Sequence, residues 1–180
     1  MKHFLIAVLL LSGTVFANEI KVDQTGNGDE GLSYRFSNYS VWARGSIMKF
    51  QKDNKVLGKE INLEDMNVKG IRAFQNGEET LVMVDTGDEG NSSLSFYAIK
   101  GTIVKSLGSA DIMSGSEETT ALEAAKFSKQ KDKLVFTFSA PVGHLNGKGI
   151  FKILPKVKII IKNNKVLVFS KNKLNWMIIN

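Results

Sequence analysis

The stretch VKGIRAFQNGEETLVMVDTGDEGNSSLSFYAIKGTIVKSL, Val68–Leu107, decides the fold. It opens on an apolar segment (Val68, Ile71, Phe74), turns at Gln75-Asn76-Gly77 and continues through Leu81, Val82, Met83 and Val84. An acidic glycine loop from Asp85 to Gly90 follows, then a hairpin from Ser93 to Leu107 that turns at Lys100-Gly101. Apolar runs of strand length, bounded by glycine and asparagine turns, predict a four-strand antiparallel meander.

Outward from this stretch the pattern recurs. Shifted by 53 residues, Phe74, Leu81 and Val82 fall on Phe127, Leu134 and Val135, with polar turns between them in both copies. At an offset of 62, Val22-Asp23 meets Val84-Asp85, Gly28 meets Gly90 and Leu32-Ser33 meets Leu94-Ser95. The closing hairpin has relatives at Ile47–Leu57, turning at Asp53-Asn54, and at Val157–Leu167, turning at Asn163-Asn164. Upstream, Ile20 and Val22, then Leu32, Tyr34 and Phe36, alternate with polar residues as half-buried strands do, with a polar, glycine-rich loop over Gln24–Gly31 between them. Tyr39, Val41 and Trp42 form a further short strand. Downstream, Thr120-Ala121-Leu122-Glu123 has capping-box spacing, which predicts a short helix over Ala121–Lys126. The repeat instead places a strand over Ala124–Phe127, and the strand is the expectation, because tertiary pairing overrides local propensity. Beyond Lys133 come the strands Leu134–Phe138 and Ile150–Leu154, the Asn163-Asn164 hairpin and a last apolar strand, Leu174–Ile179.

The repeated unit resembles the blades of β-propellers, in which an apolar strand, a turn after an aromatic and an outer hairpin recur every 40 to 45 residues or so. The resemblance rests on Ile71–Leu107 and Ala124–Phe138, about half of the chain, without a Trp-Asp signature. It implies a small ring of about four blades, closed by Leu174–Ile179 against an N-terminal strand. The residue pattern itself predicts an all-β fold, an antiparallel meander of repeated four-strand units, and leaves a two-sheet β-sandwich or an irregular meander open.

The ends and composition bound the rest. Met1-Lys2-His3, the apolar run Phe4–Leu11 and small residues at Val15 and Ala17 have the layout of a signal peptide over residues 1–17. About 163 residues follow, Asn18 to Asn180, enough for a single all-β domain with a sizeable core. The 180-residue chain has no cysteine, which excludes disulfide stapling and an acylated cysteine anchor. Export to the periplasm or exterior is therefore the expected localisation, and with it no nucleic-acid partner.

Three groups of residues could carry function. Asp23, Asn27 and Asp29 lie in a stretch like the first half of a calcium loop, although Tyr34 stands where such a loop needs a bidentate glutamate. Asp85, Asp88 and Glu89 form a second acidic glycine loop. Calcium at either is the only cofactor the sequence suggests, and solvated turns are the simpler reading. Catalytic candidates are sparse: His144 is the sole histidine after the leader, and Glu78-Glu79 and Glu117-Glu118 are ordinary acidic pairs. Trp42 and Trp176 sit in apolar runs and read as packing residues.

Charge is the clearest signal. Glu78 to Glu123 holds nine acids and two lysines, whereas Lys133 to Asn180 holds nine lysines and no acid. Lys152, Lys156, Lys158 and Lys162 line up against Val157, Ile159 and Ile161 as one face of a strand. Such a row either guards an edge strand against pairing or meets an anionic partner: an acidic protein surface, lipopolysaccharide or anionic lipid. The expected function is an exported, non-catalytic protein-binding module of inhibitor, immunity or envelope accessory type. The alternatives are a calcium-dependent carbohydrate-binding module and a carboxylate-based hydrolase.

Overall fold

Tight turns carry this chain from strand to strand. Asp53 and Asn54, both left-handed (φ 48° and 64°), form a two-residue turn whose twist matches that of the flanking strands. In the computed structural model, the chain is described for residues 18–27, 29–63, 66–88, 91–113, 120–130, 133–138, 142–145, 151–154, 156–163, 165–171 and 173–178. Residues 1–17, where a leader with cleavage at Ala17 is expected, lie outside the described residues, as do Glu89 and Glu117-Glu118.

In chain order the elements are β1 (Asn18–Ile20), β2 (Asp23–Asn27), β3 (Gly31–Phe36), β4 (Tyr39–Arg44), β5 (Ile47–Lys52) and β6 (Lys55–Asn62). Then come β7 (Asn67–Asn76), β8 (Glu79–Asp88), β9 (Asn91–Lys100), β10 (Ile103–Met113), the single helical turn α1 (Ala121–Ala124), β11 (Ala125–Gln130) and β12 (Lys133–Phe138). The chain ends with β13 (Val142–Leu145), β14 (Phe151–Leu154), β15 (Val157–Lys162), β16 (Lys165–Ser170) and β17 (Lys173–Ile178). The fold is all-β, with three antiparallel sheets: an N-terminal sheet β2-β3-β4-β5-β6, a central sheet β1-β7-β8-β9-β10-β13-β14 and a C-terminal sheet β11-β12-β15-β16-β17.

The meander expected over Val68–Leu107 is present as β7-β8-β9-β10, and it forms the middle of the central sheet. Its two faces pack against different sheets. Phe74, Leu81, Met83, Leu94 and Phe96 share a core with Leu134, Phe136, Ile159 and Val168 of the C-terminal sheet. Ala73, Val82, Val84, Tyr97 and Ile99 share another with Tyr34, Phe36, Val41, Met48 and Phe50 of the N-terminal sheet. Burial on both faces explains why Leu81 to Val84 is apolar without alternation, as a strand with no solvent face requires.

The first core centres on four phenylalanines: the Phe74 ring lies 4.4 Å from Phe127 and 5.6 Å from Phe136, which in turn lies 5.5 Å from Phe127 and 5.8 Å from Phe96. Phe74 and Phe127, aligned by the 53-residue shift, thus meet each other across two sheets. The hairpins that carry them differ in register, because Phe74 pairs with Leu81 and Phe127 with Phe136 rather than Leu134. Polar ties reinforce the stack. Arg72 grips the Glu19 carboxylate through Nε (2.6 Å) and its second guanidinium nitrogen (2.9 Å), while its third nitrogen donates to the Ala125 carbonyl at 2.9 Å.

Several expectations are corrected. Strands group as seven, five and five rather than in fours. The last strand, β17, pairs with β16, and the first, β1, with β7, so the ring closure implied by the propeller resemblance does not occur among the described residues. The stretch from Asp85 is not a loop: β8 continues to Asp88, since Asp85, Thr86 and Gly87 still pair with Leu94, Ser93 and Ser92. Of the expected loop Gln24–Gly31, Gln24–Asn27 is likewise strand and Asp29-Glu30 a turn, and the turn predicted at Lys100-Gly101 falls one residue later, between β9 and β10. At Thr120 both local readings hold in part. Its hydroxyl accepts from the Glu123 N–H while Glu123 accepts from the Thr120 N–H, and this capping box closes one helical turn before β11 begins at Ala125.

Candidate functional site

The strands of the C-terminal sheet carry seven lysines and no acid: Lys126, Lys129, Lys133, Lys158, Lys162, Lys165 and Lys173. Alternation sorts them. Leu134, Phe136, Phe138, Val157, Ile159, Ile161, Val166 and Val168 face the core, so Lys126, Lys133, Lys158, Lys162 and Lys165 stand on the outer face. Lys162 is directly opposite Lys165, and Lys133 lies one residue past the pair Leu134 and Ile161, which places it beside Lys162. Three lysines on three adjacent strands therefore form a row across the sheet, with neighbouring β-carbons about 4.5–5.5 Å apart. A second basic row, Lys126 and Lys158 with Thr137 between them and Phe169 beyond, crosses four residues away. Between the two rows run Val135, Ile160 and Leu167, the last two partly exposed.

Like charges directly opposite each other destabilise a sheet, so the arrangement costs stability unless a counter-charge meets it. The edge-guard reading of the β15 lysines fails here. With β12 on one side and β16 on the other, β15 is an interior strand whose backbone groups are already paired. The expected row is also redrawn. Lys156, exposed, precedes β15 with a left-handed backbone (φ 51°), Lys158 and Lys162 follow as expected, but Lys152 belongs to β14 at the edge of the central sheet. Of the lysines that the strand-by-strand reading missed, Lys165 had one visible signal, since residues flanking a two-residue hairpin turn necessarily face each other, whereas Lys133 joins the row only through the pairing of β12 with β15.

Of the candidate calcium residues, Asp23, Asn27, Asp29 and Asp85 have described side chains. Asp23 and Asn27 lie in β2, an edge strand, with Asp23 paired to Lys21 at 2.6 Å. The Asn27 side-chain oxygen accepts the backbone N–H groups of Asp29 (3.1 Å) and Glu30 (2.9 Å), a turn-forming role. Asp85 is fully buried, and its Oδ2 accepts the Leu122 N–H at 3.1 Å. Burial pushes its pKa up; the N–H groups of Leu122 and Ala121, the Ser92 hydroxyl and the charge of Lys69 act against that. The side chains of Asp88, His144, Lys152 and Trp176 lie outside the described residues. Among the described residues no three His, Asp or Glu side chains group as metal ligands do. Glu78 hydrogen-bonds Lys100 at 2.9 Å, which holds its carboxyl below the usual range and so ill suited to donate a proton.

Trp42 packs on a sheet rather than in a core. Its neighbours Val41 and Ala43 are buried, so alternation puts the indole on the outer face of the N-terminal sheet, outside both cores. It rests on Gly31, where any side chain would come within 2.7 Å of the indole nitrogen, and the Lys49 ammonium sits 5.0 Å from the ring centroid. No protein-family model matches the chain, and neither a curated protein nor a solved structure matches it.

Proposed function

We propose that this chain is an exported, non-catalytic binding module that docks an acidic partner protein on the outer face of its C-terminal sheet. One observation carries the reading: lysines from separate strands converge in two rows on a sheet whose strands contain no carboxylate. A single-sign face raises the local concentration of an oppositely charged partner and accelerates encounter, by roughly 10- to 1000-fold at low salt. Lysine rather than arginine suits such steering, because an ammonium is a point charge without the planar fork of a dedicated carboxylate clamp. The scaffold in this reading is a layered, sandwich-type stack, with the binding face on one outer layer.

The test passes envelope extract over the immobilised mature protein and over its Lys162→Glu/Lys165→Glu variant. Both side chains are exposed beside a turn, so the fold should persist with an unchanged melting temperature. A partner that uses this face should be retained by the wild type, elute as salt rises, and associate with the variant at least about tenfold more slowly. A partner held equally by both proteins at every salt concentration refutes the assignment.

A further inference from the structure

The N-terminal sheet carries an open depression on its outer face. Beside the Gly45-Ser46 turn between β4 and β5, an open cavity of about 640 Å³ is lined by Asp29, Trp42, Arg44, Gly45, Ser46 and Ile47. Its volume falls within the range of small-molecule sites, about 300–1,000 Å³. Arg44 and Asp29 are both exposed, and neither side chain has an ionic or hydrogen-bonding partner among the described residues. Ile47 is one of three large apolar side chains that are well exposed among the described residues, at 41%. An indole, a free donor fork, a free acceptor and an aliphatic patch thus surround one depression.

The mixed charge argues against a simple ion as ligand, since Asp29 repels anions and Arg44 repels cations. A neutral ligand with both donors and acceptors, and with apolar faces, uses every group. We propose that the cavity binds a 2-acetamido sugar. The acetamido N–H suits the Asp29 carboxylate, its carbonyl suits the Arg44 guanidinium, its methyl suits Ile47, and the C–H face of the pyranose suits the indole of Trp42. Lys49, held by Glu60 at 2.6 Å, occupies part of the space above the ring without lining the cavity, so it competes with the sugar rather than gripping it. This site is independent of the basic face, which belongs to a different sheet.

The test uses a Trp176→Phe background, leaving Trp42 as the only tryptophan, and titrates it with tri-N-acetylchitotriose. Trp42 emission should shift saturably, and the affinity should be indifferent to salt, unlike association at the lysine rows. Arg44→Ala and Asp29→Asn should each weaken binding at least about tenfold, since each removes a charge-assisted hydrogen bond. Both should leave the melting temperature unchanged, and Lys49→Ala should bind at least as tightly as the parent. Absence of a saturable change up to about 10 mM overturns the proposal, that being weaker than any specific site of this kind should allow. An equal response to cellotriose, which lacks the acetamido group, overturns it as well.

Discussion

Phe136→Ala should destabilise the protein by about 3–5 kcal/mol, the range for truncating a fully buried phenylalanine. Phe136 has no exposed surface, and its ring touches Phe74, Phe96 and Phe127, which come from two strands of the central sheet and from β11. The cavity left behind therefore opens between two sheets, where no single hairpin can collapse to fill it. Against a typical total stability of about 5–15 kcal/mol, such a loss brings the protein close to half unfolded under mild denaturant. Urea titration should show a lower midpoint with an unchanged slope. Val56→Ala, at a site 49% exposed on an edge strand, should move the midpoint hardly at all. A Phe136→Ala loss below about 1 kcal/mol would mean that the two sheets do not share this core.

The second large effect concerns Asp85. Its carboxylate satisfies the Leu122 N–H in the first turn of α1, the connector between the central and C-terminal sheets, while its Oδ1 meets no donor among the described residues. Because burial raises its folded pKa above the unfolded value, the stability linked to this group is fully present below the unfolded pKa, about 3.9, and is lost as pH rises through the folded one. Ionised Asp85 is thus a cost at neutral pH. Asp85→Asn keeps an acceptor for Leu122 without the charge, so it should be more stable than the wild type at pH 7, with the gap closing as pH falls toward 4 or so. Asp85→Ala removes the acceptor and strands a buried N–H, a loss of about 1–3 kcal/mol. Thermal melts of the three proteins between pH 4 and 8 measure both effects. If Asp85→Asn proves less stable at pH 7, the helix N–H groups and Lys69 outweigh burial and the charge is a net support.

Strand and turn positions were legible in the sequence because their causes are local. Asp53-Asn54 and Asn163 mark tight turns through residues that tolerate a left-handed backbone, and the alternation of Lys158 and Lys162 with Ile159 and Ile161 marks one buried face, as the structure has it. The sequence by itself thus determined an all-β chain of antiparallel hairpins and the polarity of β15. Only the tertiary structure decided which hairpins join into which sheet, and which faces meet. Those choices depend on many weak apolar contacts between residues far apart in the chain, such as Phe74 with Phe127, and a repeat of similar residues does not encode them. The same reason hid three placements. Asp85 looks like a loop acid until β9 and α1 enclose it, Trp42 looks like core until its neighbours take the inward positions, and the row of Lys133, Lys162 and Lys165 exists only once β12, β15 and β16 lie side by side.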